Sequence, residues 1–212
     1  MTSGTTNHAT APAAAGDLDR LGRLHGTSKS SGGRNLLRAY EPFLAPLRDT
    51  AFELLEIGVG DGASLRLWAD YFPRATIVGL DVRRLALGGL PDRCTLRHGS
   101  QSDLATLHDL VRAHRFRVIV DDGSHASADQ IFAFEHLFPW IEPGGVYVCD
   151  SPDDVRPDET IWTVDRFLMV AHGITRGEVP TDLPPETREL YRLCLRKATS
   201  VSFARGVVMV AS

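Results

Sequence analysis

Apolar positions recur along this chain with two different periods, and the changes of period mark its elements. From Asp17, a plausible N-cap, the pattern is helical, with Leu18, Leu21 and Leu24 forming a stripe at a spacing of three. The polar, glycine-rich stretch Gly26 to Arg34 breaks it. A second amphipathic helix is predicted over Asn35 to Leu47, with Leu36, Leu37, Tyr40, Phe43, Leu44 and Leu47 on one broad face. Short apolar runs then alternate with helical stretches. Strands are predicted at 52–57, 76–80, 94–97, 117–121 and 145–149, and helices at 63–72, 102–114 and 127–140, with Ser102 capping the second of these. Further helices are predicted over 161–171 and 187–195. The end, SVSFARGVVMVAS, reads as two strands around Arg205-Gly206, a hairpin signal.

Apolar strands separated by helices imply βαβ units, hence a parallel sheet covered on both faces. The pattern therefore predicts an α/β fold. Its sheet is doubly wound, mostly parallel and seven-stranded, with an antiparallel C-terminal hairpin and helices at the N-terminus. Residues 1–16 are mostly Thr, Ala, Ser, Gly and Pro, cannot bury enough apolar surface to order themselves, and are expected to form a disordered tail. The chain of 212 residues suits one domain with a single large core. That domain is expected over 17–212, with 17–50 as a helical lid and 51–212 as the core.

Composition narrows the function. The net charge of −4 provides no electropositive footprint, so nucleic acid is a poor partner. Only Lys29 and Lys197 are lysines; the other basic residues are arginines. Cys94, Cys149 and Cys194 are widely spaced and odd in number, which argues against a disulfide framework or a zinc knuckle. No apolar run approaches the roughly 18 residues of a membrane span, and the first residues lack the pattern of a signal peptide. The expectation is a cytoplasmic protein without a membrane partner.

The chemistry begins at Glu56-Ile-Gly58-Val-Gly60-Asp61-Gly62-Ala63, between the first strand and its helix. Glycines there let backbone approach a ligand closely, and Asp81 closes the second strand, where its carboxylate can hold both ribose hydroxyls. By spacing alone this turn serves a nicotinamide dinucleotide as well as other adenosyl ligands. Glu56 weighs against a pyrophosphate, which it would repel, and suits a cationic ligand end.

Glu-x-Gly-x-Gly-x-Gly followed by an acid at the end of strand two resembles the class I S-adenosylmethionine-dependent methyltransferases, whose fold is Rossmann-like. Four further segments sharpen the resemblance: Gly26-Thr27-Ser28-Lys29, His98-Gly-Ser-Gln101-Ser102-Asp103, Asp121-Asp122-Gly123-Ser124-His125, and Phe138-Pro-Trp-Ile-Glu-Pro-Gly144-Gly145. Together they are similar to the metal-dependent sugar O-methyltransferases of macrolide tailoring, of the mycinamicin and macrocin type, and to cephalosporin-pathway relatives. The similarity is good from Leu18 to Asp150 and loose beyond. No counterpart is expected here of the large N-terminal auxiliary domain of the mycinamicin-type enzymes, so their oligomeric arrangement is not carried over, and a homo-oligomer stays open.

The resemblance implies S-adenosyl-L-methionine as cofactor, lined by Glu56, Gly58, Gly60, Asp81, Gln101, Ser102, Asp103 and Asp121. It implies His125 as the catalytic base, a role an imidazole fills near neutral pH. It further implies Mg²⁺ held by Asp122 and Asp150. At the end of strand five the family places an adjacent Glu-Asp pair, and this chain has Cys149-Asp150, with Asp153 and Asp154 as substitutes in the following loop. The reaction so implied is methyl transfer to a hydroxyl of a small natural-product intermediate, of sugar or polyketide type. An S-adenosylmethionine-binding protein of the same fold with a non-methylating reaction or a scaffold role stands as the alternative.

Overall fold

Five short runs lie side by side as parallel strands; three of the four connections between them are helices that return the chain to the same end of the sheet, and the second strand reaches the third through residues 82–93 without one. They are β1 (Glu53–Ile57), β2 (Thr76–Asp81), β3 (Cys94–His98), β4 (Phe116–Asp121) and β5 (Val146–Asp150). The helices are α1 (Asp17–His25), α2 (Leu37–Leu44), α3 (Ala63–Tyr71), α4 (Leu104–Ala113), α5 (Ser127–Leu137), α6 (Thr163–Arg176) and α7 (Pro185–Lys197). The chain closes on the hairpin β6 (Ser200–Ala204) and β7 (Val207–Ala211). Strand order is β3-β2-β1-β4-β5-β7-β6, with β7 antiparallel to both β5 and β6. The computed structural model describes residues 16–152, 162–181 and 183–212. The expected tail, apart from Gly16, and the substitute ligands Asp153 and Asp154 lie outside the described residues.

Side-chain alternation along the strands sorts the core into two layers. Leu54, Val118, Val120, Val146 and Val148 pack beneath α1, α2 and α3, where Tyr40 stacks on Trp68. Leu55, Ile57, Ile119, Tyr147 and Cys149 pack on the other face with Phe134 and Phe167. The same alternation assigns polar groups. Glu56 falls in step with Leu54 and Asp150 in step with Val148, whereas Asp121 falls in step with Ile119. Each is fully buried, so the strand ends carry three carboxylates divided between two faces.

Several predicted boundaries shift for local reasons. Gly16, in a left-handed conformation, is the N-cap of α1, and Asp17 is its first residue. Asp103 rather than Ser102 caps α4, its carboxylate accepting from the Thr106 N–H. The second and fifth helices end in 3₁₀ turns that contain Pro46 and Pro139. Helix α7 begins at Pro185, whose fixed φ suits a first turn.

Candidate active site at the strand ends

The turn after β1 has Gly58, Gly60 and Gly62 at φ of 82°, 61° and 81°, a conformation that disfavours any side chain. At Gly58 a Cβ would also lie 2.0 Å from the Asp122 carbonyl oxygen, so the turn sits directly against the loop after β4. At Gly60 a Cβ would meet no atom within 4 Å, because that backbone borders open space. The space is a cavity of about 560 Å³. Its walls include the glycine turn, Asp81 to Arg83, Gly99 to Gln101, Gly26 to Lys29 and Asp122 to Ser124.

Asp81 is tied to the turn by its Oδ2, which accepts from the N–H groups of Val59 (3.1 Å) and Gly60 (3.2 Å). Arg83 adds bonds from its side chain and its backbone N–H. Burial disfavours the charge, but these hydrogen bonds outweigh it and lower the carboxyl to about 2. It is a fixed anion at the cavity wall, with the chemistry to accept bonds from a ribose diol.

A second buried network holds the loop after β4. Gln101 Nε2 donates to Asp121 at 3.1 Å, Tyr147 Oη donates to it at 2.9 Å, and the Gly123 N–H adds a third bond. Burial nevertheless raises the Asp121 carboxyl to about 7. The other end of Gln101 accepts from the Ser124 N–H at 2.9 Å, so this amide joins the segment after β3 to the segment after β4.

The acidic centre lies on the opposite face. Lys29 Nζ, almost fully buried, donates to Glu56 at 3.1 Å and to Asp122 at 2.5 Å. Burial opposes its charge, yet the surrounding carboxylates win and its pKa is raised. Arg34 Nη2 reaches Asp122 Oδ1 at 2.8 Å and Asp150 Oδ2 at 3.4 Å, and the Tyr40 hydroxyl donates to Asp150 Oδ1. Burial raises Asp150 to about 6 against the pull of Lys29 and Arg34. Those two cations outweigh burial at Asp122 and lower it. His125 follows in a left-handed conformation, φ 58°, unusual for a side chain this large. Its Nε2 lies 3.7 Å from Asp122 Oδ1, and its Nδ1 is buried with no hydrogen-bond partner among the described residues.

Gly58, Gly60, Asp81, Gln101 and Asp122 thus border the cavity, whereas His125 is not among its lining residues and lies next to Ser124, which is, with its Nε2 3.7 Å from Asp122 Oδ1. Others serve different neighbours. Glu56 lies behind the wall, its oxygens taken by Lys29 and the Ser64 hydroxyl. Asp121 is sealed under the loop it holds. Ser102 bonds Ser100, and Asp103 caps α4. Arg34 and Tyr40 escape a reading by spacing, since they meet Asp150 across 116 and 110 residues. Gln130 is similar, with Nε2 on the Asp150 carbonyl and Oε1 accepting from Thr163.

Residues 55–151 match the family described as a methyltransferase domain. That segment is a methyltransferase domain, and the fold around it is the Rossmann-like fold of methyltransferases. The chain's relatives are sugar O-methyltransferases of natural-product pathways. It is 40% identical to the 8-demethyl-8-alpha-L-rhamnosyl tetracenomycin-C 2'-O-methyltransferase of Streptomyces olivaceus, over 77% of this chain and 47% of that protein. Identity to the L-olivosyl-oleandolide 3-O-methyltransferase of Streptomyces antibioticus is 35%, over 63% of this chain and 36% of the relative. The MycE methyltransferase of mycinamycin biosynthesis, solved with Mg and SAH, matches with a TM-score of 0.78 at 26% identity, covering 92% of this chain and 52% of that one. The chain spans about half or less of the length of the curated relatives it matches.

The adenosyl cofactor of such enzymes fits this cavity: a backbone without side chains at Gly58 and Gly60, and a fixed carboxylate at Asp81. A Mg²⁺ ion does not fit the acidic centre equally well. Among the described residues no group of three or more His, Cys, Asp or Glu side chains is placed to hold an ion. Both oxygens of Asp122 are paired with cations, and those of Asp150 with Tyr40 and Arg34. Cys149, where the family resemblance places a carboxylate, is buried in the opposite core layer, and a thiol is a poor Mg²⁺ ligand.

Proposed function

We propose that the chain binds S-adenosyl-L-methionine over the glycine turn and methylates a hydroxyl of a sugar carried by a natural-product intermediate. The observation that carries this reading is the Asp81 carboxylate, locked to the glycine turn on one wall of a cavity whose other wall is the Asp122-to-Ser124 loop. Asp81 is assigned the ribose, Gly58 and Gly60 the close backbone approach, and Gln101 the ordering of the adenine-side segment. Ser102 and Asp103 support that segment from behind, and Asp121 supports the loop that presents His125. Glu56 acts through Lys29, whose ammonium it anchors.

Bound there, S-adenosylmethionine supplies an electrophilic methyl group, the acceptor oxygen bonding to carbon as the carbon–sulfur electron pair passes to sulfur. His125 takes the hydroxyl proton, and Asp122, 3.7 Å away, is placed to stabilise the resulting imidazolium. Residues 17–50 serve as a lid, since Gly26 to Lys29 border the cavity and cover it from one side. The partner is a small molecule in the cytoplasm, with no nucleic acid or membrane involved. Among the described residues no helix is long and apolar enough to cross a membrane.

The test is transfer of a trideuteromethyl group from labelled cofactor to rhamnosylated or olivosylated aglycones, read by mass spectrometry. A mass gain on the sugar supports the reading. Cofactor binding without transfer to any of these hydroxyls would point to the non-methylating alternative.

A further inference from the structure

We propose that Arg34 stands in for a divalent cation at the acceptor end of the site, so that this chain activates its acceptor hydroxyl without a metal. The proposal rests on the methyl-transfer reading above and concerns which positive charge serves it. Arg34 Nη2 lies 2.8 Å from Asp122 Oδ1 and 3.4 Å from Asp150 Oδ2, bridging carboxylates from the ends of two adjacent strands. An ion shared by these carboxylates would need that same space, because Mg²⁺ holds its oxygens at about 2.0–2.1 Å.

The guanidinium is held there by its loop. The Arg34 N–H donates to the Ser28 carbonyl at 2.7 Å and the Leu36 N–H to the Lys29 carbonyl at 2.8 Å. Those bonds pin a short loop that sends Lys29 inward and Arg34 to the rim, where 34% of its side chain is exposed. One loop thereby delivers two cations to Glu56, Asp122 and Asp150. A dication added to these would leave the cluster with more positive than negative charge inside a largely buried site, an unfavourable arrangement.

The replacement keeps the local chemistry intact. The oxygen that Arg34 holds, Asp122 Oδ1, is the one that faces His125 Nε2 at 3.7 Å. A fixed positive charge therefore lies beside the base, where negative charge builds on the acceptor oxygen as its proton leaves. Cys149 agrees with this arrangement: where a metal is absent, the carboxylate beside Asp150 has no ion to bind, and an apolar-tolerant thiol fills the core instead.

The test titrates the full chain with Mn²⁺ alone, followed by electron paramagnetic resonance, as wild type, R34K and R34A. S-adenosylhomocysteine is titrated into each in parallel by calorimetry. Wild type and R34K are expected to bind no Mn²⁺ through the micromolar range. R34A is expected to gain a site at least about tenfold tighter than any in the wild type. Micromolar binding of Mn²⁺ by the wild type overturns the proposal, and so does a folded R34A chain that gains no affinity. R34Q reads the same difference should R34A fail to fold. Loss of S-adenosylhomocysteine binding in the wild type would overturn the cofactor reading instead, and leaves the metal result standing by itself.

Discussion

The Lys29 ammonium lies 3.1 Å from Glu56 Oε1, with both side chains almost entirely removed from water. A lysine from a glycine-rich loop is thereby fixed beneath the site, and it carries Asp122 with it at 2.5 Å. Lys29→Met should leave Glu56 buried with only the Ser64 hydroxyl for a partner. Breaking one side of a buried pair costs about 3–5 kcal/mol, measurable by urea unfolding at neutral pH. Burial already holds Glu56 above its ordinary value of 4.5. A carboxyl with a raised folded pKa favours the folded state at low pH and loses that advantage as pH rises through its folded value. The destabilisation of Lys29→Met should therefore be smallest near pH 4 to 5 and grow toward neutrality. A loss independent of pH would mean that the ammonium does not neutralise Glu56.

Asp81 should govern cofactor affinity. Losing a charged acceptor costs on the order of 1.5–3 kcal/mol, so Asp81→Ala should weaken S-adenosylhomocysteine binding by roughly ten- to a hundredfold. The same carboxyl, depressed to about 2, contributes stability above its unfolded value of 3.8 and loses it as pH falls through 2. Asp81→Asn should therefore flatten the stability profile between pH 4 and 2 relative to the wild type, read by thermal unfolding.

His125→Ala should lower turnover by about 10²- to 10⁴-fold with cofactor affinity little changed, the usual range for loss of a general base. The pH–rate profile should lose one ionisation near neutrality. Near wild-type turnover would reduce His125 to a loop residue held in an unusual conformation.

Gly58→Ala tests the contact between the two loops. Its φ of 82° and the 2.0 Å approach of a Cβ to the Asp122 carbonyl oxygen both oppose a side chain. The variant should lose cofactor binding, whereas Gly60→Ala, with open space around its Cβ, should lose less of its folding stability. Equal stability of the two variants by thermal melt would contradict the packing of turn against loop.

Much of this was legible in the sequence because it depends on local periodicity. The apolar runs at 54–57, 118–121 and 146–149 mark strands, and period-two alternation alone separates Asp150 from Cys149. The glycine turn and Asp81 are readable too, since adjoining βα units bring them together. What spacing cannot show is partnership across distant segments. Lys29 carries the same weight in sequence whether it is solvated or buried under Glu56, and Tyr40 reads only as one more apolar position on an amphipathic face. Glu56 illustrates the converse: its position suggested a ligand contact, while its oxygens face Lys29 and Ser64. Such pairings emerge only once α1, α2 and their loop are folded over the strand ends.

The most direct measurement is calorimetric titration of the wild-type chain with S-adenosylhomocysteine, with oxidised nicotinamide dinucleotide as the comparison. A cavity built from the glycine turn and Asp81, with Lys29 and Glu56 behind it, should bind one S-adenosylhomocysteine per chain and no dinucleotide, and Asp81→Ala should weaken that binding. Preferential binding of the dinucleotide, or S-adenosylhomocysteine affinity unchanged in Asp81→Ala, would contradict the account.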